Sequence, residues 1–277
     1  MLSYGFMQRA LLAGLIIGLI CPSIGIYLVL RRMSMIGDSL SHVALSGVAV
    51  GMLTGTSPIG MALVFTVGAA LLVDVLRKHF RAYEELAIAI ILSTGIALAV
   101  VIISIARSFN AQLYSYLFGS IATVTRLDLW VVIGLSVVVM SAIAYYYKDL
   151  FYITMDETSA RLAGVPVKWL NLLFVILVSS TITLSMRIVG ILLVSSLIVL
   201  PVATGLQIAK SFKQAFAVSI ASAELSVFVG IFFAYHYELA SGGTIVLFAV
   251  VQLLVVLVVK YLYNRIKRGE NEKERSV

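Results

Sequence analysis

The chain has 277 residues, 61% of them hydrophobic and 12% charged, with a mean hydropathy of +1.09. Soluble domains carry roughly 45 to 50% apolar and 25% charged residues, so this composition excludes a soluble globular protein and specifies an integral membrane one. The net charge of +7 does not argue for nucleic acid, since Lys and Arg sort by membrane side in such chains, and the single cysteine, Cys21, excludes a disulfide framework.

Crossing roughly 30 Å of hydrocarbon takes about 20 apolar residues, and nine stretches qualify. The first, 8 to 30, has only Arg9 among its leading residues and no small-residue cleavage site, so it is expected to be a retained helix. Cys21 lies inside it, before Pro22, where a small packed hydrophobe is the expected role. The second span, 36 to 54, contains Gly37-Asp38-Ser39-Leu40-Ser41-His42. Positions i and i+4 share a helix face, with Cβ atoms about 5 to 6 Å apart, so Asp38 and His42 can address one small ligand. An ionisable group in a span costs on the order of 2.5 to 3.5 kcal/mol by insertion scales, and its default reading is functional. The bland alternative is that Asp38 caps the helix and His42 bonds a neighbour. Two ligands hold a divalent ion poorly; a two-fold homodimer would supply four, a mixed nitrogen and oxygen set suited to zinc or manganese.

The third and fourth spans, 58 to 77 and 84 to 106, carry charge only near their ends, where Asp74 beside Arg77 and Lys78 is expected to pair at the interface. His79 is expected to meet headgroups. The connection 107 to 126 contains Leu113 to Ser120, too apolar for a free loop and too short to cross, which predicts a re-entrant or interfacial helix. After the fifth span, 127 to 147, the stretch 148 to 167 opens an amphipathic surface helix with Asp156 and Glu157, closes it at Gly164 and stops it at Pro166. The sixth and seventh spans, 168 to 186 and 188 to 209, are parted only by Met186 and Arg187, so the total lies between eight and ten. Pro201 is expected to kink the seventh and free a carbonyl. The eighth, 212 to 236, holds Glu224 near its middle, a protonated, paired or cavity-facing carboxylate. His236 and Glu238 follow at its end, a solvated loop or, with Glu224, a second polar site. The ninth, 244 to 264, leads to a charged tail, 265 to 277, expected to be disordered or snorkelling, so that 1 to 264 form one polytopic domain.

With the N-terminus outside and nine spans, 16 of the 20 basic residues fall on the cytoplasmic side, and only Arg9, Arg107, Arg126 and Arg187 fall outside. No phosphate-binding Gly-rich loop, zinc-protease or serine-hydrolase motif occurs, so neither ATP hydrolysis nor peptide or ester hydrolysis has a recognisable site.

Several stretches together resemble one family. They are Leu30-Arg31-Arg32-Met33-Ser34-Met35-Ile36-Gly37-Asp38-Ser39-Leu40-Ser41-His42 with Gly47 and Gly51, Tyr116 to Ser120, Asp156 with Ala160 and Gly164-Val165, Val189 to Val194 through Pro201, and Ser241-Gly242 with Ile245 to Leu247. Each is short, but their order along nearly the whole chain is similar to the membrane permease of bacterial ATP-binding cassette (ABC) importers for zinc and manganese, nearer the zinc branch. The resemblance implies an all-α type II ABC importer permease in the bacterial cell membrane. It implies a homodimer, two cytoplasmic ATPase subunits, an extracellular metal-binding lipoprotein, Zn2+ or Mn2+ as substrate, and no resident cofactor. It also implies that Asp38 and His42 touch the ion in transit, that Asp156, Glu157, Ala160 and Gly164 belong to the helix that couples to the ATPase, and that Phe118 and Gly119 belong to an outer gate, with Pro201 as a kink. Its rivals are an ion-coupled secondary carrier, which Glu224 would favour, and an intramembrane enzyme, which lacks a nucleophile.

Overall fold

The computed structural model describes residues 4–80, 83–106, 111–120 and 124–275, with some side chains at these edges and those of Lys78 and Leu192 outside the description. Arg81 and Arg107, both counted in the charge map, lie outside the described residues. In a bilayer every backbone polar group must be satisfied internally, and the chain meets this demand with helices alone among the described residues.

The described residues form twelve helices in order: α1 Gly5–Leu30, α2 Met35–Thr54, α3 Pro58–His79, α4 Glu84–Ala106, α5 Ala111–Phe118, α6 Arg126–Tyr145, α7 Tyr147–Met155, α8 Glu157–Leu162, α9 Val167–Val189, α10 Ile191–Ile208, α11 Phe212–His236 and α12 Ser241–Arg275. Eight are long and apolar enough to cross a membrane. The seventh predicted span, 188 to 209, corresponds to α10, shorter than the others because Gly190, at φ 93°, breaks the helical path two residues after the predicted start.

Local signals set the other ends. Ser57 accepts a hydrogen bond from the Gly60 amide at 3.2 Å, with Pro58 at the first helical position of α3. Thr125 and Asp128 form a reciprocal capping box at the start of α6. Gly55, at φ 68°, ends α2 in the left-handed conformation.

The core centres on α1, α2, α9 and α10, whose buried faces include Ile17, Ile24, Leu40, Ile182, Val194 and Ile198, with α11 adding Val227 and Ile231. Helix α12, by contrast, presents apolar side chains such as Val251, Leu254 and Val258 outward, as a lipid-facing helix should. Without a hydrophobic driving force in lipid, helices associate through small residues. Thus Gly47 and Gly51, four apart on α2, let the backbone of α3 approach so closely that a Cβ at Gly47 would lie 2.5 Å from Cα of Ala62. Cys21 is fully buried, its sulfur 3.6 Å from the Ser185 hydroxyl, in the packed role expected of it.

Helix α12 continues without a break to Arg275, so the tail expected to be disordered or snorkelling is helical up to that point. The span itself is the reason: extending an existing helix through Lys, Arg and Glu is far easier than nucleating a new one. Residues 276–277 lie outside the described residues.

Candidate functional site

Asp38 sits in the first turn of α2, where the positive end of the helix dipole favours a carboxylate, and His42 follows one turn later. Asp38 Oδ1 and His42 Nε2 are 3.9 Å apart, and their side chains are 37% and 21% exposed in helices otherwise largely buried. A third polar group comes from another helix, since the Ser195 hydroxyl on α10 donates to Asp38 Oδ1 at 3.3 Å. Ser39 donates to the Ile88 carbonyl at 3.3 Å and Ser46 to that of Gly95 at 2.7 Å, which fixes α2 against α4 and so fixes the facing of the pair. Among the described residues no group of three or more His, Cys, Asp and Glu side chains converges to hold a metal. One chain therefore brings one carboxylate, one imidazole and one hydroxyl together on neighbouring helices.

The remaining predicted polar residues do not join it. Glu224 is half-buried on α11 against α1, where a Cβ at Gly18 would stand 3.3 Å from its carboxylate. His236 lies twelve residues further along the same helix, about 18 Å away at 1.5 Å per residue, and stacks on Phe232 at 5.7 Å. Glu238 is exposed just beyond, at φ 53°. Glu224 and His236 are thus separated along one helix, and Glu238 lies just beyond its end.

A seam of backbone contacts lies where α5 meets the α9–α10 junction. Helix α5 is eight residues long, matches the predicted short apolar element, and ends at Phe118 and Gly119, the latter at φ 74°. Its flanks, 107–110 and 121–123, lie outside the described residues. A Cβ at Gly190 would stand 2.5 Å from the Leu117 carbonyl oxygen, and one at Gly119 would strike the Ile188 carbonyl, so two glycine-only conformations interlock. Ser241 at the start of α12 donates to the Ile188 carbonyl at 3.2 Å. Beside this crossing Arg187 pairs with Asp128 and lies over the Tyr116 ring, 6.0 Å from its centroid. Phe118 is 40% exposed and stacks with Tyr114 at 6.1 Å. Pro201 lies within α10, which continues through it as helix.

Helix α8 answers closely to the sequence. Asp156 is its N-cap and accepts from the Thr158 amide at 2.9 Å, the Ser159 amide at 3.1 Å and the Ser159 hydroxyl at 2.5 Å. The hydroxyl first, then the amides, hold this carboxyl below the usual carboxylate range. Glu157 pairs with Arg161 at 2.9 Å, Ala160 is fully buried with Ile153, Val167 and Leu170, and Gly164 closes the turn at φ 86°. The outward side carries Met155 and Leu162, the latter 85% exposed.

Sequence reading missed Ser195 and the Arg187–Asp128 pair. Both had signals: a Ser195-Ser196 doublet in an apolar run, and two lone opposite charges in or beside different spans.

The model of the ABC 3 transport family matches residues 3–260. A relative from Treponema pallidum, described as a probable metal transport system membrane protein, is 37% identical over 257 residues, covering 93% of this chain and 96% of its own. The manganese transport system membrane protein MntC of Halalkalibacterium halodurans is 33% identical, covering 90% of this chain and 85% of its own. Among solved structures, PsaBC from Streptococcus pneumoniae in complex with Fab superposes with a TM-score of 0.82 at 29% identity, covering 96% of each chain.

Proposed function

The chain belongs to the ABC 3 transport family, and from that premise we propose that it is the permease subunit of an importer carrying a divalent transition-metal ion into the cytoplasm. The observation that carries this reading is the half-buried Asp38–His42 pair, held by α4 and joined by Ser195, with donors left open for a ligand. Two copies related by a two-fold axis would offer two carboxylates and two imidazoles along one path. Such a set should bind loosely, because a transit site that holds an ion tightly stops conduction.

Energy comes from a separate ATPase subunit, since this chain has no phosphate loop. Helix α8, rigidly capped by Asp156 and exposing Met155 and Leu162, is the element we assign to that contact on the cytoplasmic side. Closure of the ATPases would shift α8 and bias the bundle between inward- and outward-open states, with α5 and the Gly119–Gly190 crossing as the outer gate. An extracellular metal-binding lipoprotein would deliver the ion to that side, and the distribution of basic residues supports our assignment of the N-terminus to the same side.

Zinc is the metal the wording of the sequence favours, while the name of the Halalkalibacterium relative speaks for manganese. Imidazole with carboxylate accepts either. Uptake of radiolabelled zinc and manganese by cells carrying the full system, each competed with the other metal, tests the assignment. Uptake of one metal that resists an excess of the other identifies the substrate; uptake of neither contradicts the reading. The half-buried Glu224 supports a second reading, an ion-coupled carrier, which predicts uptake that persists without the ATPase and collapses with the proton gradient.

A further inference from the structure

A cavity of about 280 Å³ opens at the membrane face that bears α8, between the α1–α2 turn, α3, α7 and α9. Its floor is apolar, built from Leu28, Ile36, Val73, Phe174 and Val178, and its mouth carries Arg31, Arg32 and Arg77. It is separate from the Asp38–His42 pair. Ile36 and Leu40 line it, and residues two apart on a helix point about 200° from one another, so the pair faces the other way.

The three guanidiniums are placed by the fold. Arg31 donates to Asn171 Oδ1 at 3.0 Å and lies over the Phe174 ring, 5.5 Å from its centroid. Arg77 donates to the Met33 sulfur at 3.3 Å. Arg32 has φ 57°, a left-handed backbone that an L side chain rarely adopts, and it holds the tight turn where glycine would serve with less strain. Two carboxylates, Asp74 and Glu157, also line the mouth, and Glu157 is already engaged by Arg161 at 2.9 Å. Burial is the largest influence against the charge on Arg31; Glu157 favours that charge and the neighbouring Arg77 opposes it. Clustered guanidiniums above an apolar floor, at the ends of the spanning helices α1, α3 and α9, match the shape of one class of ligand: a phosphate group with hydrocarbon attached.

We propose that this cavity binds an anionic phospholipid, its phosphate held by Arg31, Arg32 and Arg77 and the start of one acyl chain lying along Val73 and Phe174. The bound lipid touches Glu157, the first residue of α8, and so lies between the bilayer and the element assigned to the ATPase contact. A free phosphate would use the guanidiniums and leave the floor unfilled.

The test is native mass spectrometry of the purified chain in detergent, offered phosphatidylglycerol, phosphatidylcholine or inorganic phosphate. One phosphatidylglycerol should remain bound per chain, with retention about tenfold greater than that of phosphatidylcholine. Arg32→Gln combined with Arg77→Gln should remove the preference, whereas Lys210→Gln combined with Lys213→Gln, an equal loss of basic charge elsewhere, should keep it. Val73→Phe, which fills the floor and leaves every guanidinium, should also lower retention, and circular dichroism confirms that each variant is folded. Equal retention of both lipids by the unaltered chain would overturn the proposal. So would an undiminished preference in the arginine variant. Displacement of phosphatidylglycerol by millimolar inorganic phosphate would assign the cavity to a soluble phosphate instead.

Discussion

The crossing of α5 with the α9–α10 junction and the Asp38–His42 pair on α2 are opposite solutions to polar groups inside a membrane. At the crossing the described groups are paired: glycine backbones interlock, Ser241 donates to the Ile188 carbonyl, and Arg187 is matched with Asp128. At the pair, by contrast, a carboxylate and an imidazole stand 3.9 Å apart with one hydroxyl between two helices as their support. Saturated contacts specify a shape, whereas unsaturated donors specify a ligand. Altering the first should therefore damage the fold, and altering the second should spare it.

The largest effect on the fold is expected at Gly190. Gly190→Ala forces an L side chain to φ 93° against the Leu117 carbonyl, and backbone strain of this kind alone costs about 1 to 3 kcal/mol. The melting temperature in detergent should fall by roughly 5 °C or more, with less protein inserted. An unchanged melting temperature would mean that the crossing is not a structural anchor.

Arg187→Gln should come next. It leaves Asp128, only 13% exposed, without its charged partner, though still held by Thr125, at an expected cost of about 2 kcal/mol for a partly buried pair. The double variant Arg187→Gln with Asp128→Asn should recover most of that loss, because both charges are then gone. Failure to recover would show that the charge pair is not the main contribution, leaving the Tyr116 contact of Arg187 and the Thr125 cap of Asp128 as the sources of the loss.

These differences also explain what the sequence revealed. The Asp38–His42 pair was legible because four residues on one helix fix a shared face without any tertiary knowledge. The bounds of α8 were legible for the same reason: Asp156, Gly164 and Pro166 act on their own neighbours. Ser195 and the Gly119–Gly190 crossing were not, because they bring together segments 157 and 71 residues apart in the chain, and no local pattern encodes who meets whom. Glu224 and His236 stand three turns apart along α11, with Glu238 beyond its end, a spacing that the shared stretch of sequence does not make obvious.

The smallest effect is expected at Asp156, an exposed cap. Its carboxyl titrates below the ordinary range in the folded chain, so its contribution is full at neutral pH and disappears as pH falls through that lowered value. Ser159→Ala, which removes the principal hydrogen bond, should move the loss to higher pH, detectable as a shift in the acid limb of the melting curve. ATP-dependent uptake should fall more than stability does if α8 is the coupling element.

The most direct measurement is uptake of radiolabelled zinc and manganese by Asp38→Ala and His42→Ala cells, with the membrane content and melting temperature of each variant determined in parallel. Uptake should fall at least about tenfold for the transported metal while protein amount and melting temperature stay near those of the unaltered chain. Normal uptake in both variants would contradict the assignment of the pair to the ion's path and make it a structural contact.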